Sequence, residues 1–257
     1  MYLTSKLTMA LEPWRTGKVI RLENVSENTR LFFIQVPELE KFDFKPGQFV
    51  TLDLPIHDKL SKRLRSYSIA SMPDTTNVFE LCIVLLEGGE GTSYLFNDVV
   101  VGSELKLRGP VGVFVLPPVI EKDIFLVCTG TGIAPFRSML HFMAKNPVPH
   151  KDINLIFGSR RKINLLYYDE LQQLAKEIPG FHYLPTLSRE EWEGRSGYVH
   201  DIYEQILIEK KFSENGEMKF PPASFYLCGW KNMIDEAKQR ILAMGYDRKA
   251  IHQELYG

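Results

Sequence analysis

The chain has little with which to bind a metal or staple a small fold. It holds only three cysteines, Cys82, Cys128 and Cys228. They are too scattered for a disulfide framework, a zinc site or an iron–sulfur cluster held by four thiolates. Any redox chemistry must use another group. None of the six histidines stands in an i, i+4 pair or other metal-ligand spacing. No apolar run approaches the length of a membrane span, and Met1–Leu11 has no continuous apolar stretch of signal-peptide length. The formal net charge is −1, so nothing global pulls the protein onto nucleic acid or an anionic membrane. The expectation is a cytoplasmic protein with neither as a partner.

What is present is ordinary globular sequence whose pattern changes partway along. With 257 residues, 44% of them hydrophobic and 25% charged, the chain can bury the cores of two modest domains. Up to Pro117-Pro118 the strings GKVIRL, TRLFFIQV, QFVTLDL, RSYSIAS, VFELCIVLL and SELKLRG are short, partly alternating runs between turn residues. They predict six antiparallel strands and a barrel. Beyond it, DIFLVCTG, INLIFGS, FHYLPTL and SFYLCGW are short apolar strands. Helical patterns separate them, over Tyr168–Glu177, Tyr203–Lys210 and Asn232–Met244 among others. Strand alternating with helix predicts a parallel sheet with helices on its faces.

Three loops could carry chemistry. CTGTGIAPF, Cys128–Phe136, follows the first strand of the parallel sheet, the edge where open α/β sheets bind ligands. Thr129 or Thr131 can cap the next helix, Gly130 and Gly132 allow close backbone approach, and Pro135 suits a first helical turn. Such a helix start attracts a pyrophosphate, though an ordinary tight strand-to-helix turn fits the same string. In RLRSYSIAS, Arg65 and Tyr67 share one strand face, a guanidinium for phosphate beside a ring that can stack on a flat heterocycle. A Tyr-bearing edge strand with a solvated Arg reads the same way. In GGEGTSYLF, Gly89 and Gly91 precede Thr92 and Ser93, a second candidate anion site or a Thr-capped hairpin loop.

Further strings join these in a fixed order: KPGQF, GPVGVF, YLCGW and the terminal ELYG. Together with RSYS, GEGTS and GTGIAPF they resemble the ferredoxin–NADP+ reductase family over about Thr16 to Gly257. The resemblance implies a two-domain β + α/β protein. An FAD-binding six-stranded antiparallel β-barrel would span 1–117, and a Rossmann-like NADP(H)-binding domain 118–257. It implies that Arg65 contacts the FAD pyrophosphate, that Tyr67 stacks on the isoalloxazine and that Ser68 lies near flavin N5. Gly89, Gly91 and Thr92 would hold the FAD phosphates, with Ile83 and Val84 lining the cofactor. Thr129, Gly130, Thr131, Gly132 and Pro135 would form the nicotinamide-dinucleotide cradle. Cys228, with Gly229, would lie near the nicotinamide in a packing and aligning role, while Cys128 is an inert strand residue. Tyr256 would cover the flavin, and Glu254 would stabilise charge or relay a proton. Trp230 departs from the proline that many relatives carry after Cys-Gly, and nothing in the sequence accounts for it.

Ser188, Arg189, Arg195 and Arg160 match the basic region of family members that use NADPH, with Tyr198 as a candidate for adenine stacking. Glu190, Glu191 and Glu193 dilute that charge. The implied activity is hydride transfer between NADPH and FAD, then single-electron transfer to a separate carrier, ferredoxin or flavodoxin. The loop residues Lys59, Lys62 and Arg63 could steer an acidic partner toward the flavin, or could simply be solvated. Two other readings stay open at this stage. One is the reductase component of a multicomponent oxygenase, or a free-flavin or metal reductase; the other is a nucleotide-binding regulatory module without turnover.

Overall fold

The computed structural model describes residues 12–215 and 217–256. The expectations for Met1–Leu11 and Gly257 lie outside these residues. The first half contains β1 (Trp14–Ser26), β2 (Thr29–Gln35), β3 (Phe49–Asp53), a single turn α1 (Leu60–Arg63), β4 (Leu64–Ser68), β5 (Val78–Val84), α2 (Glu90–Asn97) and β6 (Glu104–Val111). All six predicted strands form and pair antiparallel in the order β4-β3-β6-β1-β2-β5. The two outer strands meet through an Ile69–Leu81 bridge and an Ala70 N–H to Glu80 O bond, which closes the sheet into a barrel. Its interior is filled by the inward residues of alternating strands, among them Phe32, Ile34, Val50, Leu52, Phe79 and Leu81.

The second half runs β7 (Asp123–Thr129), α3 (Ala134–Lys145), β8 (Ile153–Ser159), α4 (Tyr168–Glu177), β9 (Phe181–Leu187), a two-residue β10 (Arg195–Ser196), α5 (Val199–Glu209), a small hairpin of β11 (Phe212–Glu214) and β12 (Glu217–Lys219), β13 (Ala223–Trp230), α6 (Lys231–Ala243) and β14 (Ile251–Tyr256). The large sheet is parallel, in the order β10-β9-β8-β7-β13-β14. The order reverses direction at β7, so a crevice opens between the carboxyl ends of β7 and β13.

Alternation along β7 divides the core between the sheet's two faces. Phe125 and Val127 pack with α5 and α6, whereas Ile124, Leu126 and Cys128 pack with α3 and α4. Leu31, Ala70, Cys82 and Phe114 from the first half join that second cluster, so one continuous apolar core runs across the seam between barrel and sheet.

Two strands of the large sheet depart from the sequence expectation, as does the small β11–β12 hairpin. The tail Ile251–Tyr256 is a strand parallel to β13, with Cys228 opposite Glu254 and Trp230 opposite Tyr256. Both it and β10 are outer strands, bonded on one side only, so neither shows the apolar run of a buried strand. Helix α5 begins at Val199, four residues before the expected start at Tyr203.

Candidate active site

The seam holds a cleft of about 510 Å³ walled by both halves of the chain. From the barrel come Arg65, Tyr67 and Ser68 on β4, Ile83 and Val84 on β5, and Gly89, Gly91 and Thr92 where α2 begins. From the α/β half come Thr129, Thr131, Gly229, Trp230 and Tyr256. A second groove continues over the carboxyl edge of the sheet, past Gly130 to Arg160, Ser188, Arg189 and Tyr198. Val84, Thr129, Thr131 and Trp230 wall both.

The barrel side is built to receive an anion. The Arg65 guanidinium is aimed by its own backbone surroundings, donating to the carbonyls of Lys62 and Leu64, each at 2.9 Å. It lies against the start of α2, close enough that a Cβ on Gly91 would stand 3.0 Å from the Arg65 side chain. The first N–H groups of a helix have no partner within it, so the amides of Glu90, Gly91 and Thr92 add to that charge. The Thr92 hydroxyl does not: it accepts from Leu86 N–H and donates to Gly89 O, closing its own loop. Gly89 likewise commits its N–H to Leu86 O. Of the expected trio, Gly91 and Thr92 offer amides, and Gly89 shapes the turn.

The TGTG stretch folds as a single 3-10 turn, Gly130–Ile133, ahead of α3. Neither Thr129 nor Thr131 caps the helix, because the 3-10 turn supplies the entry. Instead the Thr129 hydroxyl is buried with no partner among the described residues, at the junction of the two cavities. A buried hydroxyl left without a bond is costly, and a ligand oxygen would satisfy it. Gly132 and Pro135 are buried and line neither cavity. Gly132 lets the turn press onto β13, where a Cβ would come within 2.3 Å of Cys228 O, and Gly229 takes a φ of 137° beside Thr129.

A run of hydrogen bonds crosses the seam. Tyr256 OH donates to Ser68 Oγ at 2.6 Å, and Ser68 donates to Glu254 Oε1. Burial raises the Glu254 carboxyl above its ordinary range, although Ser68 pulls it back. Burial also holds the Tyr256 phenol and the Cys228 thiol well above their usual values, and nearby Glu254 adds to both. The Tyr67 phenol is pushed up to about 12 by burial, against the pull of Arg65. Cys228 is therefore a neutral thiol. It is fully buried and lines neither cavity, so an aligning role fits it and attack on a ligand does not.

In the far groove the loops after β8 and β9 are bonded together, Ser188 N–H to Ser159 O at 3.0 Å and Arg189 N–H to Arg160 O at 3.1 Å. That brings Arg160, Ser188 and Arg189 into one cluster. Arg195 stays outside it: it sits exposed on β10 opposite Thr186. Two of the acids that dilute the charge are engaged elsewhere, Glu190 with Lys162 N–H and Glu193 with Lys162 Nζ. Trp230, unaccounted for in the sequence, is the residue that reasoning missed. It is 48% exposed and stands at the wall shared by both cavities. Its place directly after Cys228-Gly229 was the available signal.

Comparison with known proteins agrees with this arrangement. Residues 16–116 match the family model of the oxidoreductase FAD-binding domain, and residues 126–239 that of the oxidoreductase NAD-binding domain. The chain is 32% identical over 249 residues to ferredoxin–NADP reductase B of Sorangium cellulosum, covering 95% of this chain and 98% of that protein. It is 31% identical to the anthranilate 1,2-dioxygenase electron transfer component of Acinetobacter baylyi, over 86% of this chain and 60% of that one. A solved ferredoxin NADP+ reductase from Neisseria gonorrhoeae with bound FAD and NADP superposes with a TM-score of 0.75 at 25% identity, covering 94% of this chain and 98% of that one. Among the described residues, no helix is long and apolar enough to cross a membrane. The chain belongs to the ferredoxin–NADP+ reductase family of FAD- and NAD(P)-binding oxidoreductases.

Proposed function

We propose that the chain is an NADPH-dependent reductase that moves reducing equivalents by way of FAD to a separate one-electron carrier of the ferredoxin or flavodoxin kind. The observation that carries this reading is the single cleft walled by the Arg65–Ser68 strand of the barrel and the Thr129 and Trp230 edge of the sheet. Bound FAD would supply what no side chain here can, acceptance of a hydride from a nicotinamide and release of electrons one at a time.

The chain's own residues bind, orient and manage protons. Arg65 with the α2 amides holds a pyrophosphate, and Tyr67 offers its ring as a stacking face. Ser68 bridges Tyr256 and Glu254, so a carboxyl with a raised proton affinity is one hydrogen bond from the cleft. Tyr256 lines the cleft, where it would give way to a second ring. In the groove, Arg160 and Arg189 suit a ribose 2′-phosphate, because two of the three acids nearby, Glu190 and Glu193, are turned to Lys162. Tyr198, 68% exposed on the groove wall, suits an adenine face.

The likeness to a dioxygenase electron transfer component favours a second reading, with the same site feeding an oxygenase. One experiment separates the possibilities. Holoprotein is mixed with NADPH and NADH in parallel, and the reduced form is offered ferredoxin, flavodoxin and an oxygenase component. Rapid bleaching by NADPH followed by turnover with ferredoxin or flavodoxin supports the first reading. Turnover with the oxygenase component alone supports the second. A flavin that stays oxidised leaves only a binding module.

A further inference from the structure

A second set of polar contacts, made by residues that line neither cavity, ties the two halves together. Arg137 on α3 donates from Nη1 to Ala70 O at 3.0 Å and to Glu80 Oε2 at 3.2 Å, both in the barrel. Its Nε and Nη2 grip the two oxygens of Glu170 on α4 at 2.5 and 3.1 Å. Tyr167, just before α4, donates from its hydroxyl to the other oxygen of Glu80 at 2.7 Å, and its ring lies 4.3 Å below the guanidinium. His141 bonds Glu170 from one turn along α3. The Arg137 and Glu80 side chains are 14% and 7% exposed. The cluster sits within the apolar core that spans the seam.

The location gives this cluster its meaning. Ala70 lies two residues past Ser68, Glu80 three before Ile83, and Arg137 five past Gly132. One guanidinium thus touches the continuation of β4, the strand β5 and the helix that carries the TGTG turn. Tyr167 is held at φ 57° and ψ 28°, a left-handed conformation that a bulky residue adopts only under constraint from its surroundings. A lysine has one point charge and could not reach a carbonyl, one carboxylate and both oxygens of another in a single plane.

We propose that Arg137 is a positioning residue for nucleotide-to-flavin transfer: by bonding Ala70, Glu80 and Glu170 it sets the register between the barrel and the sheet, and so the alignment of the two ligand rings. The inference rests on the reductase reading above. It predicts a separation of effects, since neither cavity contains Arg137. Ligand affinity should stay while transfer slows, because small misalignments of reacting atoms cost large factors in rate.

The test uses the holoprotein and the variants Arg137→Lys, Arg137→Met and Glu170→Gln. Expected in Arg137→Met is a fall of about tenfold to about a hundredfold in the rate constant of flavin reduction at saturating NADPH. FAD occupancy and NADP+ dissociation constant should stay within about twofold, and the long-wavelength charge-transfer absorbance of the nucleotide complex should fade. Arg137→Lys and Glu170→Gln should lie between it and wild type, and they carry the test if Arg137→Met fails to fold. Unchanged reduction rates and charge-transfer absorbance overturn the proposal, as does a rate loss that only tracks lost FAD or nucleotide. A second measurement needs no nucleotide: amide exchange over Ala70–Cys82 and α3 should quicken in Arg137→Lys, and unchanged exchange also overturns it. A wild-type flavin that NADPH leaves oxidised defeats the reductase reading instead, and amide exchange still decides on Arg137.

Discussion

The loop that starts α2 and the turn that precedes α3 both wall the cleft, but their glycines are there for different reasons. On the barrel side, the atoms nearest a Cβ on Gly91 belong to the flexible Arg65 side chain, and Gly88 has nothing within 4 Å of where a Cβ would stand. On the sheet side, Gly132 is pressed against backbone, with Cys228 O 2.3 Å from that position. One loop keeps room for a ligand; the other uses its glycine to bring two strand ends together. Gly132→Ala should therefore be the most damaging change, costing about 2–3 kcal/mol of stability and lowering the melting temperature with or without ligands. Gly91→Ala should leave the unfolding of the FAD-free protein nearly unchanged while weakening FAD. Equal melting temperatures for the two FAD-free variants would break the comparison.

A second contrast separates chemistry from stability at one residue. The raised affinity of Glu254 for its proton means that the folded state binds the proton more tightly than the unfolded state. As pH rises through the unfolded value toward the folded one, this group therefore subtracts stability, and at neutral pH its ionised form is a cost. Glu254→Gln should melt no lower than wild type at neutral pH. Its turnover should fall by about a hundredfold, the usual contribution of a positioned acid or base. A melting temperature that drops along with activity would mean that the carboxylate holds the fold rather than serving the reaction.

How far the sequence carries a reader follows the same division between local and distant contacts. The barrel strands and four of the parallel strands were legible because each is an apolar run between turn residues, a signal complete within a few neighbours. Much of the cleft was legible because its residues cluster in short strings, RSYS, GEGTS and TGTG, whereas Trp230 on its wall was not. Strand β14 was not, since an outer strand needs one partner and can leave His252, Gln253 and Leu255 exposed. The Arg137 cluster was not either: Ala70 and Glu80 stand 67 and 57 positions from it, and only the closed barrel brings them under α3. Arg195 is the reverse case, close in sequence to the basic cluster but placed on β10 opposite Thr186 and not among the residues that line the groove.

The far groove allows a finer comparison, between Arg160 and Arg189 within it and Arg195 outside it. Replacing either of the first two by Ala should raise KM for NADPH by about tenfold, the loss of one charge-assisted contact to phosphate, and leave NADH nearly unaffected. Arg195→Ala should move neither constant. If Arg195→Ala matched the other two, β10 would have to close over the groove when nucleotide binds.

The smallest effect is expected at the basic loop beside the barrel mouth, where three cations of similar sequence context have different employment. Arg63 Nε lies 2.7 Å from Asp53 Oδ1, a carboxylate buried in β3, and Lys106 approaches the same group at 3.4 Å. Arg63 is thus committed to neutralising Asp53, whereas Lys59 and Lys62 have no acidic partner among the described residues and stand exposed. Charges at a rim act on encounter rate and are screened by salt. Lys59→Ala with Lys62→Ala should slow reduction of an acidic carrier by about two- to threefold at low ionic strength, with the difference vanishing as salt rises. Reduction by NADPH alone should not change. Arg63→Ala should show up in melting temperature instead, because it strands a buried carboxylate with only Lys106 in reach. A salt-independent loss in the double variant would place the two lysines in the fold of the loop and not in partner encounter.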